Sequence, residues 1–212
     1  MRFLYVAPRY HTNQVPIIRG LKRKGHEVCF LSQYAGKVED YSDLTPTVIG
    51  YSRIFLFFDR VYMALMKNRD AYAGDRKMKC GFPPIGKLKR AIRDSHGDVA
   101  VLRERSVYSI CAYLLCKKYK IPAILYNQSP LWEDYIKNDP AHRLMRLLTP
   151  TVRMTPVMGV QDGRKVKEPG AAFVPFVMEP EQKAEEKRWI KDGITHIFSI
   201  GKYEERKNHR ML

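Results

Sequence analysis

Cysteine is scarce in this chain: Cys29, Cys80, Cys111 and Cys116 show neither CxxC spacing nor the density of a disulfide scaffold. Reduced, mostly buried thiols are what such a set implies. The six histidines are equally dispersed, with no HxxxH and no neighbouring cysteine pair, so no metal site is expected. Long apolar runs are missing as well, which excludes a transmembrane helix. Met1-Arg2-Phe3 enters a strand-like run without a signal-peptide pattern, and a cytoplasmic protein is the expectation. Acidic residues are in deficit: 22 against 38 Lys and Arg, a formal charge of +16. That balance predicts attraction to polyanions, anionic lipid surfaces or phosphorylated ligands and says nothing about fold.

Several signatures of other classes are absent. There is no GxSxG elbow and no GxGxxG fingerprint, so a hydrolase or a dinucleotide-binding enzyme has no positive support. No RRM, KH or OB signature occurs, and aromatics cluster in apolar runs such as 55–58 instead of alternating with basic residues. Nucleic acid is therefore a disfavoured partner. Gly81 to Leu88 (G-F-P-P-I-G-K-L) nearly matches a P-loop. Leu88 replaces the magnesium-binding hydroxyl, and Pro83 and Pro84 remove N–H donors, so the match is a decoy.

What is present is a repeated strand, helix, strand pattern. Arg2 to Ala7 is a short apolar run, Asn13 to Lys24 carries apolar residues at Val15, Ile18 and Leu21, and Val28 to Leu31 is apolar again. Asn13 is the expected helix cap, Pro16 suits the first turn, and Gly25 suits a left-handed helix end. Such units build a parallel sheet buried on both faces, and the loop Pro8 to Gln14 then lies at its carboxyl edge, where open α/β folds bind ligands. A second unit follows: strand 98–104, helix 107–119 and strand 122–127. Both strands end in polar residues, Arg103-Glu104-Arg105 and Asn127-Gln128-Ser129, which converge on the same edge as Tyr10, His11 and Asn13. His11 could serve as a general base or orient a phosphate.

Between the units, Thr45 to Ile49 reads as a short strand. Arg53 to Lys67 reads first as a mostly buried helix. The alternative is a membrane-surface helix, because Arg53, Arg60, Lys67 and Arg69 flank its apolar residues. Lys67 to Arg93 holds nine basic and two acidic residues, which suits the solvated side of a helix or an anion-facing surface. Further on, a helix is expected from Trp132 to Leu148, strands over 153–160 and 171–177, and a charged linker or solvated helix from Glu179 to Asp192. A hydrophobic strand, Thr195 to Gly201, comes next.

Three stretches carry a family resemblance. Lys22-Arg23-Lys24-Gly25-His26-Glu27-Val28 resembles the "kkrGHeV" segment of GT-B glycosyltransferases, family 4 in particular. Gly97 to Arg103 and Lys120 to Tyr126 resemble the "pDvvi.R … ip.vl" strands of that family's acceptor domain. Ile200 to His209 is similar to the opening of its donor domain, with Lys202 where arginine is usual and Lys207 at the lysine. The resemblance implies an α/β, Rossmann-like parallel sheet with helices on both faces over 1–178, a linker over 179–193 and the start of a second Rossmann-like domain over 194–212.

It also implies a glycosyltransferase moving a sugar from a nucleotide sugar to a hydroxyl acceptor, with retention and without a metal or cofactor. No DxD pair, the metal and diphosphate signature of the other main glycosyltransferase architecture, is present. Gly201, Lys202, Arg206 and Lys207 would hold the donor diphosphate, since a glycine admits phosphates to the backbone and fixed cations stabilise the leaving group. Tyr10, His11, Asn13, Arg103, Arg105 and Asn127 would line the acceptor side. No catalytic base is assigned. Lysine at 202 lacks arginine's bidentate fork, and the glycine pair usual after the family's first strand is missing.

The implied partners are a nucleotide sugar, a glycan or lipid-linked acceptor and an anionic membrane surface at the inner face of the membrane. The chain reaches only the first turn of the donor domain's first helix, so these 212 residues alone are expected to be inactive, which an assay of the purified chain tests. A non-enzymatic α/β domain binding RNA, another polyanion or a membrane surface is the alternative.

Overall fold

The computed structural model describes residues 1–36, 41–66, 73–104, 106–127, 140–156, 159–161, 164–166, 171–175, 190–191 and 193–195. The chain divides into two compact units, Met1–Met178 and Glu179–Leu212.

In the first unit, β1 (Arg2–Ala7), β2 (Glu27–Ser32), β3 (Thr47–Val48), β4 (Val99–Arg103), β5 (Ala123–Tyr126), β6 (Arg153–Thr155) and β9 (Ala171–Phe173) form one sheet in the order β3-β2-β1-β4-β5-β6-β9. Every pairing in it is parallel. Side chains alternate across each strand, so successive residues go to opposite faces. Leu4 and Val6 join Ala100, Leu102 and Leu125 in one core cluster, which is completed by Leu88 and Ile92 of α4 (Ile85–Asp94) and Tyr108, Ala112 and Cys116 of α5 (Val107–Lys118). Tyr5 and Ala7 join Phe30, Val101 and Tyr126 in the other, closed by Ile18 of α1 (Val15–Arg23). Helices thus cover both faces, which is the α/β, Rossmann-like arrangement that near-continuous apolar strands require.

Local chemistry sets the helix ends. A 3-10 turn, Thr12–Gln14, precedes α1, and its cap is His11, not Asn13. At the other end Gly25 takes φ +76°, the left-handed conformation that a glycine after a helix supplies. Ser106 caps α5 by accepting from Ser109 N at 3.1 Å. In the near-match to a P-loop, Pro84 stands at the cap of α4 and Lys87 Nζ donates to the Val48 carbonyl at 2.8 Å, so the lysine is tied to β3. Helix α4 buries Leu88 and Ile92 and leaves Lys87, Lys89, Arg90 and Arg93 exposed, a solvated basic side.

Helix α2 (Arg53–Leu65) departs from the first expectation: it has no buried residue. Its inner side meets α3 (Ala73–Cys80) through polar contacts, with Arg76 donating to Asp59 at 2.8 Å and lying 4.1 Å from the Tyr62 ring centroid. Helix α6 (Pro140–Leu148) occupies the end of the stretch expected as one longer helix; residues 128–139 lie outside the described residues.

Two antiparallel hairpins were not anticipated. β7 (Gly159–Gln161) pairs with β8 (Arg164–Val166), and β10 (Ile190–Lys191) pairs with β11 (Ile194–Thr195) in the second unit. Strand β6 ends at Thr155, so the expected strand over 153–160 is two elements. The residues between the paired strands are Asp162-Gly163 and Asp192-Gly193, the dipeptide that favours two-residue hairpin loops, and Gly193 has φ +74°.

Burial also leaves an alkaline liability. It pushes the Cys116 thiol from its ordinary 9.0 up to about 12. Burial first, and Tyr126 second, raise the Tyr5 phenol to about 12. Each is an acid that the folded chain keeps protonated while the unfolded chain ionises, so these groups cost nothing below the ordinary thiol value. Stability should then fall as pH rises from 9.0 toward 12. Urea unfolding at about pH 8 and about pH 10.5 checks this, with a lower midpoint expected at the higher pH. Equal midpoints would contradict it.

Candidate functional site at the carboxyl edge of the sheet

The strand order reverses between β1 and β4, which makes the crevice at their carboxyl ends the topological switch point where open α/β sheets bind ligands. On the β1 side the chain turns through Pro8 to Gln14. Gln33 N donates to the Ala7 carbonyl at 3.3 Å and the Pro8 carbonyl at 3.0 Å, which ties the ends of β1 and β2 together. Tyr51 OH donates to Gln33 Oε1 at 3.0 Å, fixing that side chain in turn. Ser32 Oγ, at the end of β2, is buried and makes no hydrogen bond among the described residues.

His11 is held by a reciprocal cap. Its Nδ1 accepts from Asn13 N at 3.2 Å, while its backbone N–H donates to Gln14 Oε1 at 2.9 Å. Accepting at Nδ1 places the neutral ring's proton on Nε2. That edge of the imidazole is a donor, which suits holding an anionic oxygen better than removing a proton. Tyr10 goes the other way. Its ring is 0% exposed, edge-on to Phe30 at 5.3 Å and stacked with Tyr41 at 6.1 Å.

On the β4 side the structure adds Arg153 to the polar residues expected on this edge. Glu104, just past β4, has a side chain 1% exposed and accepts from Arg153 Nε of β6 at 2.9 Å. Asn127, just past β5 and also buried, donates its Nδ2 to the other carboxylate oxygen at 3.3 Å. Arg153 is itself steered by the Thr151 carbonyl at 3.0 Å and by Thr149. A buried carboxylate is tolerable only with such partners. Arg103 lies 5.4 Å from the Tyr126 ring centroid, a cation over an aromatic face.

Of the acceptor-side expectations, Asn127 therefore joins a buried network, Arg103 packs on Tyr126, and His11 and Asn13 share one capped turn. Arg105 and the donor-side Gly201, Lys202, Arg206 and Lys207 lie outside the described residues. From sequence Glu104 was placed on this edge without a partner, and Arg153 was given no role. The available signal was a carboxylate set between two arginines directly after a fully apolar strand. Among the described residues no group of three or more His, Cys, Asp or Glu side chains is placed to hold a metal. A surface pocket of about 380 Å³, lined in part by Lys117, Lys120, Pro122 and Thr151, opens where β5 begins, at the opposite edge from this site.

No protein-family model matches the chain, and no curated protein matches it. Among solved structures, it is similar to an S. aureus MnaA-UDP co-structure, with 10% identity, a TM-score of 0.43, and coverage of 74% of this chain and 38% of that one. It is also similar to the UDP-GlcNAc 2-epimerase from Methanocaldococcus jannaschii, at 11% identity and a TM-score of 0.39, covering 74% of this chain and 40% of that one. The chain spans about two fifths of the length of these structures. Likeness at this level carries no argument, and the α/β, Rossmann-like architecture rests on the parallel sheet itself.

Proposed function

We propose that this chain is the acceptor-side part of a GT-B-type glycosyltransferase, which moves a sugar from a nucleotide-diphosphate sugar to a hydroxyl of a glycan or lipid-linked acceptor. The observation that carries the reading is the switch-point crevice, with the donor edge of His11 on the β1 side and the Glu104–Asn127–Arg153 network on the β4 side. The resemblances at 22–28, 97–103 and 200–209 support it, as does the charge of +16, which favours phosphorylated ligands.

In this reading the bond from the anomeric carbon to the diphosphate oxygen breaks while one to the acceptor oxygen forms, with retention of configuration, and the acceptor hydroxyl's proton passes to the departing diphosphate oxygen. Negative charge gathers on the leaving diphosphate, and Lys202, Arg206 and Lys207 stabilise it beside Gly201. His11 and Asn13, with Arg103 and Arg105, hold the acceptor side, and Glu104 and Arg153 keep the ends of β4 and β6 in place. A mechanism of this kind needs no metal.

The test uses the protein expressed from its full reading frame, labelled nucleotide sugars, and glycan or lipid-linked acceptors. Release of nucleoside diphosphate that depends on acceptor is expected, with Lys207→Ala lowering kcat/KM by roughly 100-fold. Turnover that leaves the sugar on the nucleotide and ignores acceptor would overturn the reading, as would no turnover across the panel.

A further inference from the structure

Helix α2 carries its apolar residues on the wrong side for a core helix. Ile54, Phe57, Phe58, Val61 and Leu65 stand at i, i+3, i+4, i+7 and i+11, one continuous stripe. That stripe is the outer face: Ile54 is 73% exposed, Phe57 62%, Phe58 63% and Leu65 76%. Large apolar side chains in a contiguous exposed row mark an interaction surface.

The charges on the same helix say what kind. Its one acid, Asp59, is only 12% exposed and is paired with Arg76 and Lys77 of α3 at 2.8 and 3.5 Å. Its two bases, Arg53 and Arg60, are exposed and follow the same edge of the stripe, a turn of the helix on either side of Phe57. Every acid is thus removed from the outer side and every base kept there. The molecule behind it carries +16, so approach to a negative surface is favoured at long range.

We propose that the outer face of α2 docks on an anionic lipid surface, with Phe57 and Phe58 at the boundary of headgroups and acyl chains and Arg53 and Arg60 among the lipid phosphates. A helix with an aromatic and aliphatic face edged by arginines lies in the interface plane in this way. No helix among the described residues is long and apolar enough to cross a membrane, so attachment through α2 is peripheral. A second copy of the chain is the poorer occupant, because self-association across this face brings together two molecules of +16 each and sets Arg53 and Arg60 against their own kind. The surface does not depend on the glycosyl-transfer reading.

The experiment is co-sedimentation of the 212-residue chain with vesicles of phosphatidylcholine, alone or mixed with phosphatidylglycerol, over a salt series. Binding to the mixed vesicles that weakens with salt is expected. Phe57→Ser with Phe58→Ser should weaken it by at least about 30-fold at every salt concentration. Arg53→Gln with Arg60→Gln should weaken it about fivefold per arginine at low salt and flatten the salt dependence. Both pairs are exposed, so the thermal midpoint should move by no more than about 2 °C.

Equal binding to both vesicle types would overturn the proposal. So would binding that the two serines leave intact, which makes the attachment one of bulk charge, as for RNA. A large drop in midpoint for the serine variant would show the face covered by the chain itself. A dimer in sedimentation velocity that the serines dissolve would assign the face to a second copy.

Discussion

Replacing Arg153 by methionine is expected to destabilise the chain by about 3–5 kcal/mol, because it leaves the Glu104 carboxylate buried without its counter-charge. That side chain is 1% exposed, and among the described residues its remaining side-chain partner is Asn127 Nδ2 at 3.3 Å. A neutral amide at that distance does not replace an ion pair of 2.9 Å. A loss of this size is a large fraction of the stability of an ordinary domain. The double variant Glu104→Leu/Arg153→Met should recover most of it, since removing both charges removes both desolvation costs. Urea unfolding at neutral pH with unchanged slope is the measurement. A cost under about 1 kcal/mol for Arg153→Met would mean that water reaches the carboxylate and the pair is not a structural lock.

The pair also joins the ends of strands far apart in sequence. Glu104 follows β4, Asn127 follows β5 and Arg153 opens β6, so three neighbouring strands share one carboxylate at the ligand edge of the sheet. The carboxyl ends of these three strands are thereby held by one hydrogen-bonded network.

The sheet was legible in the sequence for a simple reason. Strands buried on both faces read as unbroken apolar runs, and Phe3 to Ala7, Val28 to Leu31 and Val99 to Leu102 all do. Helix stops were legible where glycine was needed, as at Gly25 with φ +76°. Three features were missed or only partly legible. The hairpins at 159–166 and 190–195 are only a few residues long, so their alternation is too short to stand out. Their real signal is the Asp-Gly pair in each, which charge density around Lys165 and Lys191 masked. The exposure of α2 was legible only as the alternative to a buried helix, because an amphipathic stripe fixes only which residues share a face. Whether that face points inward depends on what packs against it, and only the α3 contacts decide that. The Glu104–Arg153 pair, 49 residues apart, is long-range, and the local signal at Glu104 does not tell which cation it meets.

Tyr10 gives the second large effect, and it separates packing from ligand contact. From sequence it faces the crevice; in the structure its ring fills the core between Phe30 and Tyr41, at 5.3 and 6.1 Å, in one cluster with Ile18 and Val101. Tyr10→Ala should therefore cost about 3–5 kcal/mol, the usual penalty for emptying a buried aromatic site. The turn that carries His11 follows Tyr10 directly, so its geometry should loosen with the cavity. Tyr10→Phe keeps the ring and should cost no more than about 1.5 kcal/mol. If the ring is only a support, Tyr10→Phe leaves turnover of the full-length protein within a few-fold of the parent, and the alanine variant loses activity in step with stability. If the hydroxyl reaches the acceptor, the order changes. Tyr10→Phe then drops kcat/KM by tenfold or more, about 1.4 kcal/mol, at nearly unchanged stability. Since the ring is 0% exposed and its neighbours are aromatic, the first outcome is the expected one.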